Sequence, residues 1–137
     1  DSPCHKAMII EHLCRLLQNA GCVTDQYMLD VYRREMLGPT VYRNTIAIPH
    51  GTTQNVLHPA VAVGLLPAPI EWMPEVMIDK VFLLALPEDS HDVVCRLRQI
   101  FDDKPLLAQI SALHDPSEIK DILTEHILLN ISSENFS

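Results

Sequence analysis

The sequence predicts an α/β fold, layered in the α+β manner, with a mixed central sheet and helices on both of its faces. The hydrophobic spacing changes between helical and extended periods in the order α, α, β, β, β, α, α, α. The segment 81–86 is apolar at every position, which is typical of a strand buried on both faces. The 137 residues suffice for one core, so we expect a single domain at 1–137. Because the chain begins at Asp1 rather than at methionine, we expect a domain or processed fragment of a longer protein.

Two helices open the predicted order. Apolar residues recur with helical spacing over 6–20, and Gly21 follows as a left-handed stop. A second helix is predicted over 26–36, with Thr24 or Asp25 as its N-cap.

Three strands are predicted next, at 45–48, 60–66 and 80–86, with a further short strand near Val56 or Val76. Pro67-Ala68-Pro69 predicts a turn or an edge after the second strand, because proline cannot donate to a ladder. We expect the only tryptophan, Trp72, to cover an edge of the core.

The last third of the chain predicts helices. Asp89 or Ser90 is the expected cap of a helix that Pro105 stops. A short helix is predicted over 106–113, and a final helix begins at 115–118 with proline in its first turn. The segment 131–137 is predicted to be a polar tail and a natural C-terminus.

Charge and composition exclude several classes of function. The formal net charge of −8 argues against nucleic acid or an anionic membrane as a direct partner, because both need basic patches. No apolar run approaches the roughly 20 residues that a membrane span needs, and no signal peptide is evident. The cysteines lack C-x-x-C spacing, so we expect reduced, buried thiols and no zinc site. No nucleotide-binding or hydrolase motif occurs.

The most informative stretch is 45–52, in which a short apolar strand runs into Pro49, His50 and Gly51. Pro49 holds the preceding residue extended and ends the ladder. Gly51 can take positive φ, which allows a sharp turn after the histidine. The imidazole of His50 would then lie at the carboxyl end of a strand, where reaction sites of open α/β sheets are found. The local sequence alone leaves open that His50 is an ordinary turn residue.

A second strand ends in the same way. The strand at 83–86 runs into Pro87, and His91 follows at the start of a helix. If the two strands are parallel neighbours, both imidazoles reach the same edge of the sheet. A helix N-terminus attracts an anion and disfavours imidazolium. Two neutral histidines there, with an arginine nearby, predict a site that handles phosphate.

These residues resemble the enzyme IIA domain of the fructose/mannitol class of the bacterial phosphotransferase system. The resemblance covers nearly the whole chain, and Ala-Ile-Pro-His-Gly is its most distinctive part. The residues that carry it are Arg34-Glu35, Thr40, Asn44-x-Ile46-Ala47-Ile48-Pro49-His50-Gly51, a Val/Ala strand, Pro69-Ile70-x-Trp72, Val81-Phe82-Leu83-Leu84-Ala85 and His91.

The resemblance implies a phosphohistidine-dependent phosphotransferase. His50 would accept a phosphoryl group from the phosphocarrier HPr on Nε2 and pass it to an enzyme IIB domain, while Nδ1–H donates to a backbone carbonyl. Arg34 would bind two phosphate oxygens, and His91 would donate one hydrogen bond to them. No cofactor or metal is implied. Asn44 departs from the acidic residue of some members.

The resemblance leaves three contexts open. The domain could be the regulatory module of a sugar-operon transcription regulator, which we slightly favour because the proline-rich loops look divergent. It could be the IIA component of a sugar transport system. It could also be a binding module that kept the fold without phosphotransfer. In each case we expect a cytoplasmic domain that neither binds nucleic acid nor enters the membrane.

Overall fold

The computed structural model describes residues 5–127 and 129–136. Within them the helices are α1 (Lys6–Asn19), α2 (Tyr27–Leu37), α3 (His91–Asp102), α4 (Lys104–Ala112) and α5 (Pro116–His126). The strands are β1 (Val41–Tyr42), β2 (Ile46–Ala47), β3 (Ala60–Met73), β4 (Val76–Ala85) and β5 (Asn130–Asn135), and a 3-10 turn spans Thr53–Asn55. No helix in these ranges is both long and apolar enough to cross a membrane.

The strands form one mixed sheet in the order β1-β2-β4-β3-β5. β2 runs parallel to β4, which lies at the centre and pairs antiparallel with β3. β5 runs parallel to β3 at one edge, and β1 pairs antiparallel with β2 at the other. This confirms the predicted mixed sheet, and it makes β2 and β4 the parallel neighbours that the site prediction requires.

Helices cover both faces of the sheet, as predicted. Alternate residues of β3 point to opposite faces, as the period of a strand requires: Ala62 contributes to the core beneath α1 and α2, and Val63 to the core beneath α3, α4 and α5. β4 likewise sends Leu83 to the first core and Phe82 to the second. The structure therefore explains why 81–86 is apolar at every position.

The second strand is longer than predicted, because β3 continues through Pro67-Ala68-Pro69. The register against β4 shifts between Leu65 and Ile70, which is the irregularity that a β-bulge introduces. β5 pairs with β3 only as far as Leu65. The prolines lie beyond that point, where no strand on this side of β3 would accept a hydrogen bond from an N–H group. Of the two alternatives predicted for 67–69, the turn is wrong and the edge is confirmed, because the exposed prolines lie in an irregular part of β3 that β5 does not reach.

A hairpin precedes His50 that the sequence did not predict. Arg43 and Asn44 have left-handed φ values of 53° and 54°, and they lie in the three-residue connection 43–45 between the antiparallel strands. The N–H of Thr45 donates to the carbonyl of Tyr42 at 3.0 Å and closes the turn. The segment 40–44, where no strand is predicted, therefore contains β1.

The C-terminal segment, predicted only as a polar tail, contains a strand. β5 adds a polar edge to the sheet, and the N–H of Phe136 donates to the carbonyl of Leu65 at 2.8 Å. The Phe136 ring meets the ring of His12 with centroids 5.1 Å apart. Gly64 makes room for it, because a Cβ there would lie 3.0 Å from the Phe136 ring. Ser137 lies outside the described residues.

Candidate functional site

His50 lies three residues past the end of β2 and is held beside β4. The N–H of Ile48 donates to the carbonyl of Thr40 at 2.7 Å, which ties the approach to His50 to the segment before β1. The N–H of Leu84 donates to the carbonyl of Pro49 at 3.0 Å, and His50 itself forms a parallel bridge with Leu84. Pro49 cannot donate, but its carbonyl still accepts, so pairing with β4 continues as far as the histidine.

The imidazole of His50 is held in one tautomer. Its Nδ1 lies 3.1 Å from the carbonyl oxygen of Ile48. A carbonyl only accepts, so Nδ1 carries the proton of the neutral ring and Nε2 keeps its lone pair. The ring is half-buried. The expected hydrogen bond from Nδ1 to a backbone carbonyl is therefore present.

The loop after His50 is fastened to α2 by two buried side chains. The Tyr27 hydroxyl accepts from the N–H of Gly51 at 2.9 Å and donates to the carbonyl of Leu84 at 2.5 Å. Asp30 accepts from the Thr52 hydroxyl at 2.7 Å and from the Asn55 amide at 2.5 Å. Burial raises the pKa of the Tyr27 phenol, so this hydroxyl stays protonated and can act as donor and acceptor at once.

Gly51 has a different role from the predicted one. Its φ does not lie in the left-handed region, which among the described glycines only Gly21 occupies. A Cβ at Gly51 would instead lie 2.9 Å from Cβ of Asp30 and 3.0 Å from Cε1 of Tyr27. Glycine is therefore required for the close approach of the loop to α2, and not for a left-handed turn.

His91 is the first residue of α3, as predicted. Ser90 is the N-cap residue, and its hydroxyl donates to the carbonyl of Pro87. The His91 ring is exposed, and its Nε2 lies 3.5 Å from Sγ of Cys95 one turn along the helix. The unpaired N–H groups of the first turn place a partial positive charge beside this ring.

One cavity of about 600 Å³ contains both histidines. His50 and Gly51 line it from the end of β2, and His91 lines it from α3. The prediction that two parallel strands bring these imidazoles to one edge is confirmed. Apolar side chains make up much of the remaining wall: Tyr42, Ile48, Leu84, Leu86, Pro87, Val94, Leu97 and Phe101.

Arg34 is not among the described residues that line this cavity. It lies in the last turn of α2, and its Nη1 donates to the carbonyl of Gly38 at 3.0 Å. This cation complements the partial negative charge of the C-terminus of α2. The predicted contact between Arg34 and a phosphoryl group stays a prediction.

Residues 4–126 match the family described as "Phosphoenolpyruvate-dependent sugar phosphotransferase system, EIIA 2". The chain belongs to this EIIA 2 family.

Curated relatives of this EIIA 2 chain include long and short proteins. It is 35% identical over 111 residues to the "PTS system 2-O-alpha-mannosyl-D-glycerate-specific EIIABC component" of Escherichia coli (strain K12), covering 74% of this chain but 17% of the relative. It is 28% identical over 119 residues to the "Mannitol-specific phosphotransferase enzyme IIA component" of Staphylococcus aureus (strain Mu50), covering 85% of this chain and 83% of that one. The chain thus spans less than a fifth of the first relative.

Solved structures share the fold of this EIIA 2 chain. The IIA mannitol crystal structure from Escherichia coli matches with a TM-score of 0.72 and 23% identity, covering 90% of this chain and 92% of that one. A chain in the complex of enzyme IIAMTL and phosphorylated enzyme IIBMTL from Escherichia coli matches with a TM-score of 0.73 and 22% identity, covering 91% of each. The predicted IIA fold of the fructose/mannitol class is confirmed.

Glu35 connects the helical layer to the strands of this EIIA 2 domain. It pairs with Nζ of Lys6 at 2.9 Å and accepts from Nε1 of Trp72 at 2.9 Å and from the Thr40 hydroxyl at 2.7 Å. Burial raises the pKa of Glu35, but these donors and the Lys6 charge outweigh it, so the pKa is lowered overall. Since the Thr40 carbonyl accepts from Ile48, the network also supports the backbone next to His50.

Tyr27, Asp30 and Glu35 are thus the residues that sequence reasoning did not place at the site. Tyr27 and Asp30 face the loop after His50. The one feature of the sequence that could have linked them is their spacing of three residues, which places both on the same face of α2. The thiols of Cys14 and Cys22 are free and buried, as expected, and burial raises the pKa of Cys14 to about 12. Cys95 is only half-buried, and Cys4 lies outside the described residues.

Proposed function

We propose that Nε2 of His50 accepts a phosphoryl group from HPr and passes it to an enzyme IIB domain. The observation that carries the proposal is the contact from Nδ1 of His50 to the Ile48 carbonyl, because it leaves Nε2 as the free nucleophile beside a second imidazole. Membership of the EIIA 2 family supports it. The solved complex of an Escherichia coli IIA with a phosphorylated IIB, which shares this fold, supports IIB as the acceptor.

The chemistry follows from the orientation of the His50 ring. The lone pair of Nε2 attacks phosphorus, and the bond to the donor breaks as the bond to Nε2 forms. The ring becomes positively charged, and the Nδ1–H bond to the Ile48 carbonyl strengthens because its donor is then cationic. The transfer to IIB reverses these steps, so His50 returns to the same neutral tautomer.

Catalysis in such a transfer is mainly positioning and fixed charge. The bridge from His50 to Leu84 and the Tyr27 hydroxyl hold the acceptor in place. His91 donates one hydrogen bond to the phosphoryl oxygens from the start of α3. For Arg34 to bind them as predicted, its Nη1 must exchange the Gly38 carbonyl for the phosphoryl group. The proposed transfer uses no metal or cofactor.

The names of two relatives indicate the kind of system in which such domains act. The longer one is a sugar-specific EIIABC component, and the shorter one is a mannitol-specific IIA component. These relatives support a role in sugar transport, and we propose that the domain works in the cytoplasm. The transcription-regulator context and the single domain at 1–137 stay predictions.

The test is label transfer from radioactive phosphoenolpyruvate through enzyme I and HPr. The wild-type chain takes up label, His50→Ala takes up none, and His58→Ala, at an exposed histidine outside the cavity wall, serves as the matched control. His91→Ala keeps the fold and slows the transfer. Labelling of His50→Ala at the wild-type level would contradict the proposal, and an unchanged rate in His91→Ala would remove His91 from the mechanism.

A further inference from the structure

The cavity that contains His50 and His91 has one arginine in its wall, Arg98 of α3. A phosphoryl group on His50 brings a charge of about −2 into this cavity. The wall also holds the exposed carboxylate of Glu88, which repels such a group. Fixed positive charge is therefore needed from the protein, and Arg98 is the described lining residue that always carries it.

The position of Arg98 on the helix suits this role. It lies seven residues after His91, which is close to two full turns, so the two side chains share one face of α3. The separation along the axis is about 10 Å. Side chains of a helix lean toward its N-terminus, so the long side chain of Arg98 extends in the direction of His91.

The guanidinium of Arg98 is also free to bind a ligand. No hydrogen bond or ion pair joins it to any part of the chain that the structure describes. Nearby charges are already paired: Arg96 donates to the carbonyl of His126 at 2.6 Å and to Gln99 at 2.9 Å, and Asp102 pairs with Arg43 at 3.5 Å. Arg98 is exposed, and it lies between the histidine cavity and a second depression that Asp102 lines.

We propose that Arg98 is a further catalytic residue, whose guanidinium binds the non-bridging oxygens of the phosphoryl group at His50. A guanidinium offers two parallel N–H donors to two oxygens of one phosphate, and it stabilises the charge that these oxygens carry during transfer. His91 and Arg98 then hold the group from one helix, and His50 holds it from the sheet. This inference rests on the proposed phosphorylation of His50.

The experiment measures the initial rate of labelling as a function of phosphorylated HPr concentration. The variants are Arg98→Gln and Arg98→Lys, and Arg96→Gln is the matched control because it removes an arginine from the same helix but outside the cavity wall. Arg98→Gln should lower kcat roughly 10-fold or more. Loss of one oxyanion donor lowers kcat by about 10²–10³ at an enclosed site, and we expect a smaller effect here because Arg98 is exposed. KM for HPr should stay within about threefold, as expected for an interaction made mainly in the transition state. Arg98→Lys should recover part of kcat because it keeps the charge but not the fork.

Three outcomes would contradict either the role of Arg98 or the proposed function. A kcat of Arg98→Gln equal to that of Arg96→Gln would overturn the role of Arg98. A rise in KM alone would also overturn it, since Arg98 would then contact HPr and not the phosphoryl group. Arg98→Lys decides the matter if Arg98→Gln fails to fold. A wild-type chain that takes up no label would instead contradict the proposed function.

Discussion

The hydroxyl of Tyr27 is the side-chain group that we expect to contribute most to the position of the loop after His50. It joins the N–H of Gly51 to the carbonyl of Leu84, and the Tyr27 side chain is 1% exposed. We predict that Tyr27→Phe destabilises the fold and slows phosphorylation of His50. Phenylalanine keeps the ring and its packing, so the change removes only the hydroxyl and its two hydrogen bonds.

The magnitude follows from those two bonds. Each contributes a net of about 1 kcal/mol, and leaving a buried N–H or carbonyl unpaired costs about 1–3 kcal/mol instead. Gly51 and Leu84 both line the cavity, so water can satisfy one of the two freed groups and the larger cost falls on the other. The free energy of unfolding should therefore fall by about 2–4 kcal/mol.

The assay is urea denaturation followed by the tryptophan signal, with labelling rates measured on the folded variant. Tyr32→Phe is the matched control, because its hydroxyl also donates from α2 to a backbone carbonyl, that of Ala7 at 3.1 Å, but in an exposed position. We expect that control to lose less than about 1 kcal/mol, since exposed partners can bond to water. Equal losses in both variants, or an unchanged labelling rate in Tyr27→Phe, would refute the reasoning.

Two further predictions concern the supports of the same loop. Gly51→Ala should cost about 1–3 kcal/mol by overpacking against Asp30 and should lower the labelling rate; wild-type values for both would show that the close approach is not needed. Glu35→Gln should cost about 2 kcal/mol at pH 7, because its hydrogen bonds are made by a charged group. The pKa of Glu35 is lowered in the folded state, so its stabilisation is present above its ordinary pKa of 4.5 and is lost as pH falls through the lower folded value. Denaturation curves of Glu35→Gln and wild type should therefore converge in acid, and a constant difference would contradict the assignment.

The central chemistry could be predicted because it is encoded locally. Pro49 next to His50 and Pro87 before His91 each end a strand at the same edge of the sheet, and the apolar run at 81–86 fixes that strand at its centre. The predicted helices likewise agree with the structure to within two residues at each end, since their periodicity is strong.

The parts that were missed depend on contacts between distant residues. Tyr27 and Asp30 lie more than 20 residues before the loop that they hold, and on α2 they look like an ordinary helix face. Gly51 was expected to provide a turn because glycine often does, whereas its absent Cβ matters only through the neighbouring helix. From its sequence position, Arg98 looks like an ordinary solvated charge on a helix, and only the structure shows that it lines the cavity.

Missed strands have a similar cause. The segment 130–135 is polar because it forms an edge, and its pairing with β3 is made by backbone groups that any sequence carries. The turn at Arg43-Asn44 lacks the glycine that usually marks such a hairpin. The prolines at 67 and 69 mark a bulge in β3, which local rules do not separate from the end of a strand.

The most direct test of the account is nuclear magnetic resonance of the chain phosphorylated through HPr, with ¹⁵N-labelled histidine and phosphorus detection. The account predicts one phosphorus bonded to Nε2 of His50, with the Nδ1 proton retained and slow to exchange because it donates to the Ile48 carbonyl. Phosphorus on Nδ1 of His50, or on His91, would contradict it.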